Sequence, residues 1–272
     1  MSWLLAAVAI AILWFSARYA WWRPALDWNR PRILMYHMVS DHRPGAKFNG
    51  LRVPPAMFER QLAWLVQQGF TFMTMAELLQ AGERAPPRTV VLTFDDGYQD
   101  NYTNAFPLMR RYGAKGTLYL VVDRHDRDWS TYKKAHHDSG ELAREPKLTD
   151  AQVREMVESG VFELGAHTLT HANLAALDDA GKRMEMRQAR EQLEQSFGVP
   201  VTSFAYPFGI FDAQDARIAR ECGYTNAVTT VDGVDPLPFP DPMRIARVKA
   251  AGKDNFLAFR LRITGGRRGW RK

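Results

Sequence analysis

The stretch VVLTFDDGYQDNY, residues 90–102, begins as a β-branched apolar run and then sets two carboxylates side by side, Asp95 and Asp96. Val, Leu, Thr and Phe suit a buried strand. Such a strand gains nothing from ending on two like charges, because burying either acid unpaired is costly. Two readings compete. Asp-Gly is a good turn pair and Gly97 tolerates positive φ, so the acids could simply make a turn. Alternatively a cation sits there, and other parts of the chain supply its remaining ligands.

Moving outward, similar extended runs recur at residues 32–37 (RILMYH), 69–74, 89–94, 116–122, 161–167 (VFELGAH), 203–208 (SFAYPF), 226–231 and 244–250 (RIARVKA). Helix-period segments lie between many of them. Residues 57–69 put Phe58, Leu62, Leu65 and Val66 on one face, and the segment from Leu148 starts on a Thr149 cap and buries Val153, Met156 and Val157. These stripes read as core. Strands alternating with helices predict a parallel sheet with helices outside, and seven or eight units predict a closed (β/α) barrel. Residues 123–146 are long, charged and aperiodic, which marks a lid or binding loop.

Polar residues fall at the C-terminal ends of those runs: His37, then Asp95 and Asp96, then His167, then Tyr206, Pro207 and Phe208. In a (β/α) barrel that rim gathers catalytic groups. HTLTH, residues 167–171, spaces two imidazoles so that in a helix or tight turn both face one ion. On its own such a pair is weak. With one aspartate from another strand end it becomes the three-ligand set of a hydrolytic zinc site with one position open to water. The other aspartate is then free to act as a base.

TFDDGYQDNY, HTLTH and YPFG together resemble the polysaccharide deacetylase family (the NodB homology domain, carbohydrate esterase family 4), over roughly residues 33–248. The resemblance implies a distorted (β/α)7 barrel and metal-dependent removal of acetyl groups from N-acetylated sugars. It gives Asp95 as the base, and Asp96, His167 and His171 as ligands of a divalent metal, zinc first with cobalt or nickel as alternatives. ILMYH and AYPFG resemble the branch acting on poly-N-acetylglucosamine. A backbone N–H of the YPFG loop is a candidate oxyanion donor, and Tyr98, Tyr206, Pro207 and Phe208 are candidate substrate contacts.

Three departures from the family pattern stand out. The arginine that opens the third motif is replaced by Ala205; Arg247 is the substitute candidate, with a surface arginine as the competing reading. No histidine follows His171, so the family's C-terminal general acid is missing, and His37, beside the last strand of a closed barrel, is the candidate in its place. The family's Asp–Trp motif is absent, Trp270 lying in the tail; His125, His136 and His137 read as solvated loop residues. Three functions follow: an N-deacetylase acting on a surface polysaccharide or its lipid-linked precursor, an O-deacetylase or deformylase on a lipid-linked sugar, or a catalytically silent glycan-binding protein, which Ala205 favours.

The totals set outer bounds. The chain has 272 residues and a net charge of +6, and its one cysteine, Cys222, excludes an internal disulfide. Ten of the 36 basic residues sit near the two ends, which leaves the middle mildly acidic and argues against a nucleic-acid groove. Residues 3–15 are unbroken apolar sequence and are followed by Arg18, Tyr19, Trp21 and Trp22. Residues 1–22 therefore read as a transmembrane helix, 23–31 as a juxtamembrane linker, 32–255 as the deacetylase domain and 256–272 as a basic tail. Four arginines after the helix place the domain on the cytoplasmic face of a bacterial inner membrane as a single-pass protein, with both basic ends against the lipid.

Overall fold

The computed structural model describes residues 2–133, 137 and 139–265. Every apolar run becomes a strand: β1 (Arg32–Tyr36), β2 (Thr71–Met73), β3 (Thr89–Asp95), β4 (Gly116–Leu120), β5 (Phe162–Ala166), β6 (Ser203–Ala205), β7 (Asn226–Asp232) and β8 (Ile245–Lys249). All ladder pairs are parallel, and β1 joins both β3 and β8. β1 and β3–β8 therefore close a ring of seven, the expected (β/α)7-like barrel. β2 shares the β3 edge with β4, taking Thr89–Val91 while β4 takes Leu92–Asp95. The ring is thinnest between β5 and β6, where one residue pair is in register, Ala166 with Phe204. β6 is short because Pro207 follows closely and brings no N–H to a ladder.

The helices are α1 (Ser2–Tyr19), α2 (Pro55–Gln67), α3 (Met75–Ala81), α4 (Phe106–Arg111), α5 (Asp150–Glu158), α6 (Asp179–Phe197), α7 (Ala213–Glu221) and α8 (Phe256–Gly265). Local chemistry fixes their ends. Thr149 caps α5 in a reciprocal box with Gln152, Asp178 caps α6, and Gly198 ends α6 in the left-handed conformation. Phe58, Leu62, Leu65, Val153, Met156, Met186 and Leu193 are all buried against the sheet, while Val66 faces solvent.

Both ends of the chain depart from the sequence reading. Residues 256–265 are not tail: α8 packs Ala258, Phe259 and Ile263 into the domain, and Arg262 pairs with Asp254 and Asp232. The rest of the basic tail, with Trp270, lies outside the described residues. At the other end α1 stops at Tyr19, because Ala20 turns the chain with φ of 45°. Eighteen residues rise about 27 Å, short of the roughly 30 Å of a hydrocarbon core. Trp21 and Trp22 lie beyond the helix and do not extend it. Among the described residues no helix is long and apolar enough to cross a membrane. The transmembrane anchor, the single-pass inner-membrane location and the cytoplasm-facing orientation are corrected accordingly.

Candidate metal centre

The C-terminal rim of the barrel carries the polar cluster. β3 ends on Asp95, after which Asp96 (φ 76°) and Gly97 (φ 79°) both turn left-handed. A Cβ on Gly97 would lie 2.4 Å from Leu120 Cδ1, so the turn needs glycine there. The sharp reversal sends the two adjacent carboxylates to different partners. β5 delivers HTLTH as a tight turn, not a helix, with Thr168 (φ 64°) and His171 (φ 59°) also left-handed. Seven non-glycine residues among those described have positive φ, and Asp96, Thr168, His171 and Phe208 all belong to this rim. Such backbone costs about 1–3 kcal/mol per residue and persists where surrounding structure enforces it.

Glu185 on α6 enforces the histidine turn. Its carboxylate accepts from the N–H groups of Leu169 and Thr170, both at 2.9 Å, and from the Thr170 hydroxyl at 2.7 Å. His167 Nδ1–H donates to the Ala205 carbonyl at 2.7 Å, which leaves the Nε2 lone pair facing Asp96. His171 stacks on Trp129, with ring centroids 4.7 Å apart, and meets the edge of Phe208 at 4.5 Å.

Asp96, His167 and His171, all buried, present one ligand atom each within 4.8 Å of one another. Asp96 Oδ1 lies 3.3 Å from His167 Nε2 and 3.2 Å from His171 Nε2, yet this buried oxygen has no hydrogen-bond partner. A tetrahedral ion with bonds of about 2.0–2.1 Å holds its ligand atoms about 3.3 Å apart. The donor set, its spacing and the orphaned oxygen all fit a divalent metal ion, and this group can hold one. Burial works against the Asp96 carboxylate, but His171 and His167 outweigh it and hold the acid well below its usual range. Burial pushes His171 down to about 4, against the pull of Asp96.

Asp95 takes a different partner. Arg247, buried on β8, donates to it through both terminal nitrogens, Nη1 to Oδ1 at 2.8 Å and Nη2 to Oδ2 at 2.7 Å. The guanidinium is itself held by the Thr229 carbonyl (2.8 Å) and the Thr93 hydroxyl (2.9 Å). Burial would raise the Asp95 pKa; Arg247 overrides it and keeps the carboxyl below its usual value. Ala205 stands where the family motif has arginine, and the guanidinium arrives from another strand. The surface-arginine reading of Arg247 is thereby excluded.

A cavity of about 290 Å³ opens over this group, lined by His37, Asp95, Asp96, His167 and His171 with Trp129, Leu142, Phe48 and Leu51 as apolar walls. β1 pairs with β8 and so brings His37 in, where burial lowers its pKa against the fields of Asp96 and Asp95. Of the candidate substrate contacts, Phe208 and Tyr206 line the cavity. Tyr206 is nonetheless a packing residue: its hydroxyl donates to the Met243 carbonyl at 3.0 Å and its ring stacks on Phe211. Pro207 and Tyr98 do not line the cavity; Tyr98 is buried beneath Trp129, with the Lys147 ammonium over its ring. His137, expected in solvent, lines the cavity, and His136 lies outside the described residues. Sequence reading missed Trp129 and Glu185. A lone tryptophan in a charged loop was the signal for the first; nothing local marked the second.

Similarity to known proteins points to one family. The family model described as polysaccharide deacetylase matches residues 82–227. The Bacillus subtilis protein YxkH is 30% identical over 204 residues, 74% of this chain, and the chain spans 64% of that relative's length. A poly-beta-1,6-N-acetyl-D-glucosamine N-deacetylase of Staphylococcus epidermidis is 24% identical over 240 residues, 81% of this chain and 78% of the relative. Among solved structures, a polysaccharide deacetylase from Bacillus cereus superposes with a TM-score of 0.73 at 28% identity, covering 86% of this chain and 69% of the other. With the matched span running from just before β3 to the start of β7, across both acids and both histidines, the chain belongs to the polysaccharide deacetylase family.

Proposed function

We propose that the chain is a metal-dependent hydrolase that removes N-acetyl groups from acetamido sugars of a surface polysaccharide or its lipid-linked precursor. The observation that carries this reading is the division of labour between neighbouring acids. Asp96 sits with two imidazoles in a metal-ligand arrangement, while Asp95 is held ionised by a two-pronged Arg247. A bound divalent ion, for which zinc suits the two-nitrogen, one-oxygen donor set, would polarise the acetamide carbonyl and increase the acidity of water.

The chain's own groups do the rest. Each Asp95 oxygen accepts one bond from Arg247 and keeps a lone pair, so the carboxylate can take a proton from the attacking water. Arg247 fixes the carboxylate's orientation and its charge. The left-handed Phe208 presents the YPFG backbone at the cavity wall, and we assign it the N–H that meets the developing oxyanion. His37, in the same cavity, is assigned the protonation of the departing amine. The water adds its oxygen to the acetyl carbon, the C–N bond breaks, and acetate and a free amine leave. The arginine restored from β8 favours this reading over the catalytically silent one.

The test is acetate release from N-acetylated oligosaccharides by zinc-loaded protein. Asp95→Asn should lower kcat by about 10²–10⁴-fold with metal content unchanged, and His167→Ala should lose the metal by elemental analysis. Wild-type turnover in Asp95→Asn would refute the assignment.

A further inference from the structure

Asn101 and Asn104 follow closely on the two rim acids, yet neither belongs to the metal group or lines the cavity. After the left-handed turn at Asp96 and Gly97 the chain runs through one π-helical turn, Asn101–Ala105, into α4. Asn101 is fully buried there. Its side-chain amide donates to the His37 carbonyl at 2.8 Å and to the Asp100 carboxylate at 3.0 Å, which commits both of its N–H groups. Asn104, three residues on, donates to the Val39 carbonyl at 2.8 Å. Between these two anchors Met38 donates to the Leu51 carbonyl at 3.0 Å and accepts from the Val53 N–H at 2.9 Å. The ladder shows why side chains take over here. β1 stays in register with β3 as far as Tyr36 opposite Phe94, and β3 then turns away to deliver its acids. A carbonyl just past that point still needs a donor, and Asn101 supplies it.

We propose that Asn101, seconded by Asn104, is a positioning residue for His37: the amide fixes the peptide that carries the imidazole, and with it the place from which a proton reaches the departing amine. This rests on the role given to His37 in the deacetylase reading. One stretch of chain then governs both proton transfers. Asp95 takes a proton from the attacking water, His37 gives one to the nitrogen as the C–N bond breaks, and exchange with solvent restores both groups. A proton donor matters only where the leaving group is strongly basic. An amine must be protonated to leave, whereas 4-nitrophenolate departs without a proton. A defect confined to His37 therefore slows amide cleavage and spares an activated ester.

Turnover by the zinc-loaded full chain is measured on N-acetylated oligosaccharides and on 4-nitrophenyl acetate, in wild type, Asn101→Leu, His37→Ala and the double variant, with zinc content followed alongside. Asn101→Leu keeps the volume and removes the donor. It should lower kcat on the amide about tenfold and change ester hydrolysis by less than about twofold, at unchanged zinc content. His37→Ala should show the same selectivity with a larger loss, about 10²-fold, and Asn101→Leu should cost nothing further in that background. Asn104→Ala, at a partly buried position, should give the same selectivity with a loss of about threefold, and it decides the matter if Asn101→Leu does not fold. Equal losses on amide and ester, additive losses in the double variant, or wild-type amide turnover in Asn101→Leu overturn the inference. If wild type leaves the ester intact, the double-variant comparison decides alone. Absence of acetate release from the sugars by wild type removes the deacetylase reading and this inference with it; release with an Asn101 effect independent of His37 removes this inference only.

Discussion

At the scale of single residues, one pairing determines how the site behaves with pH. Asp95 is buried, and burial alone would raise its pKa above the ordinary 3.8; Arg247 reverses the sign. The ionised base is therefore present throughout the neutral range and is lost only below its usual value. Its contribution to stability follows the same course, complete above 3.8 and lost as pH falls through the lowered folded value. Arg247→Ala should leave a buried, unpaired carboxylate, cost about 3–5 kcal/mol of stability, and move the acid limb of the pH–rate profile upward. Arg247→Lys keeps the charge but not the fork, and a fall in kcat of roughly 10–100-fold is expected. An acid limb unmoved in Arg247→Ala would show that Asp95 is not the titrating base. Ala205 and Arg247 also mark what sequence position conveys. The family motif lost its arginine in one place, and only pairing across β8, β1 and β3 brings another to the same acid.

At the scale of elements, the histidine turn depends on a helix that contributes no ligand. Glu185 gathers three donors from Leu169 and Thr170 while two of the five turn residues hold left-handed backbone. Removing its side chain takes the carboxylate from the Thr170 N–H and hydroxyl and leaves the Leu169 N–H only the Glu185 carbonyl at 3.1 Å, which lets the turn relax toward ordinary φ. Glu185→Ala should weaken zinc binding about 10–100-fold in chelator competition, with Glu185→Gln recovering part of the loss because its amide oxygen still accepts. Unchanged metal affinity in the alanine variant would separate the turn from the centre. Strands and most helices were readable at this scale because their period and caps are local: the Thr149 box and the Gly198 stop lie where the residues indicate. The extent of the N-terminal helix was not, since a single left-handed residue, Ala20, ends it between Tyr19 and Trp21, inside the segment that reads as one span.

At the scale of the molecule, the cavity exists because a long loop is fastened down. Arg52, fully buried, binds Glu141 at 3.1 Å and Glu145 at 2.7 Å, and Glu141 also accepts from the backbone of Lys47 and Phe48. One ionic cluster thus ties the segment after β1 to the loop after β4, and Phe48, Trp129 and Leu142 from those two segments form the cavity wall. Arg52→Ala removes the guanidinium that both carboxylates share, leaving Glu145 to the partly exposed Arg43 and Glu141 to the two backbone N–H groups. Proteolytic cleavage within residues 124–147 should accelerate, and KM for the glycan should rise more than kcat falls. A cleavage rate equal to that of wild type would mean the loop is held by its apolar contacts alone.

The sequence by itself determined the alternation of strands and helices, the barrel it implies, and the four rim residues Asp95, Asp96, His167 and His171. These follow from local rules: periodicity, turn chemistry, and ligand spacing within one short segment. Tertiary structure alone decided that Arg247 serves Asp95, that Trp129 backs His171 and that Glu185 braces the turn. Each of these joins residues far apart in the chain, and the contact exists only once the ring of strands closes and the loop is pinned across its mouth.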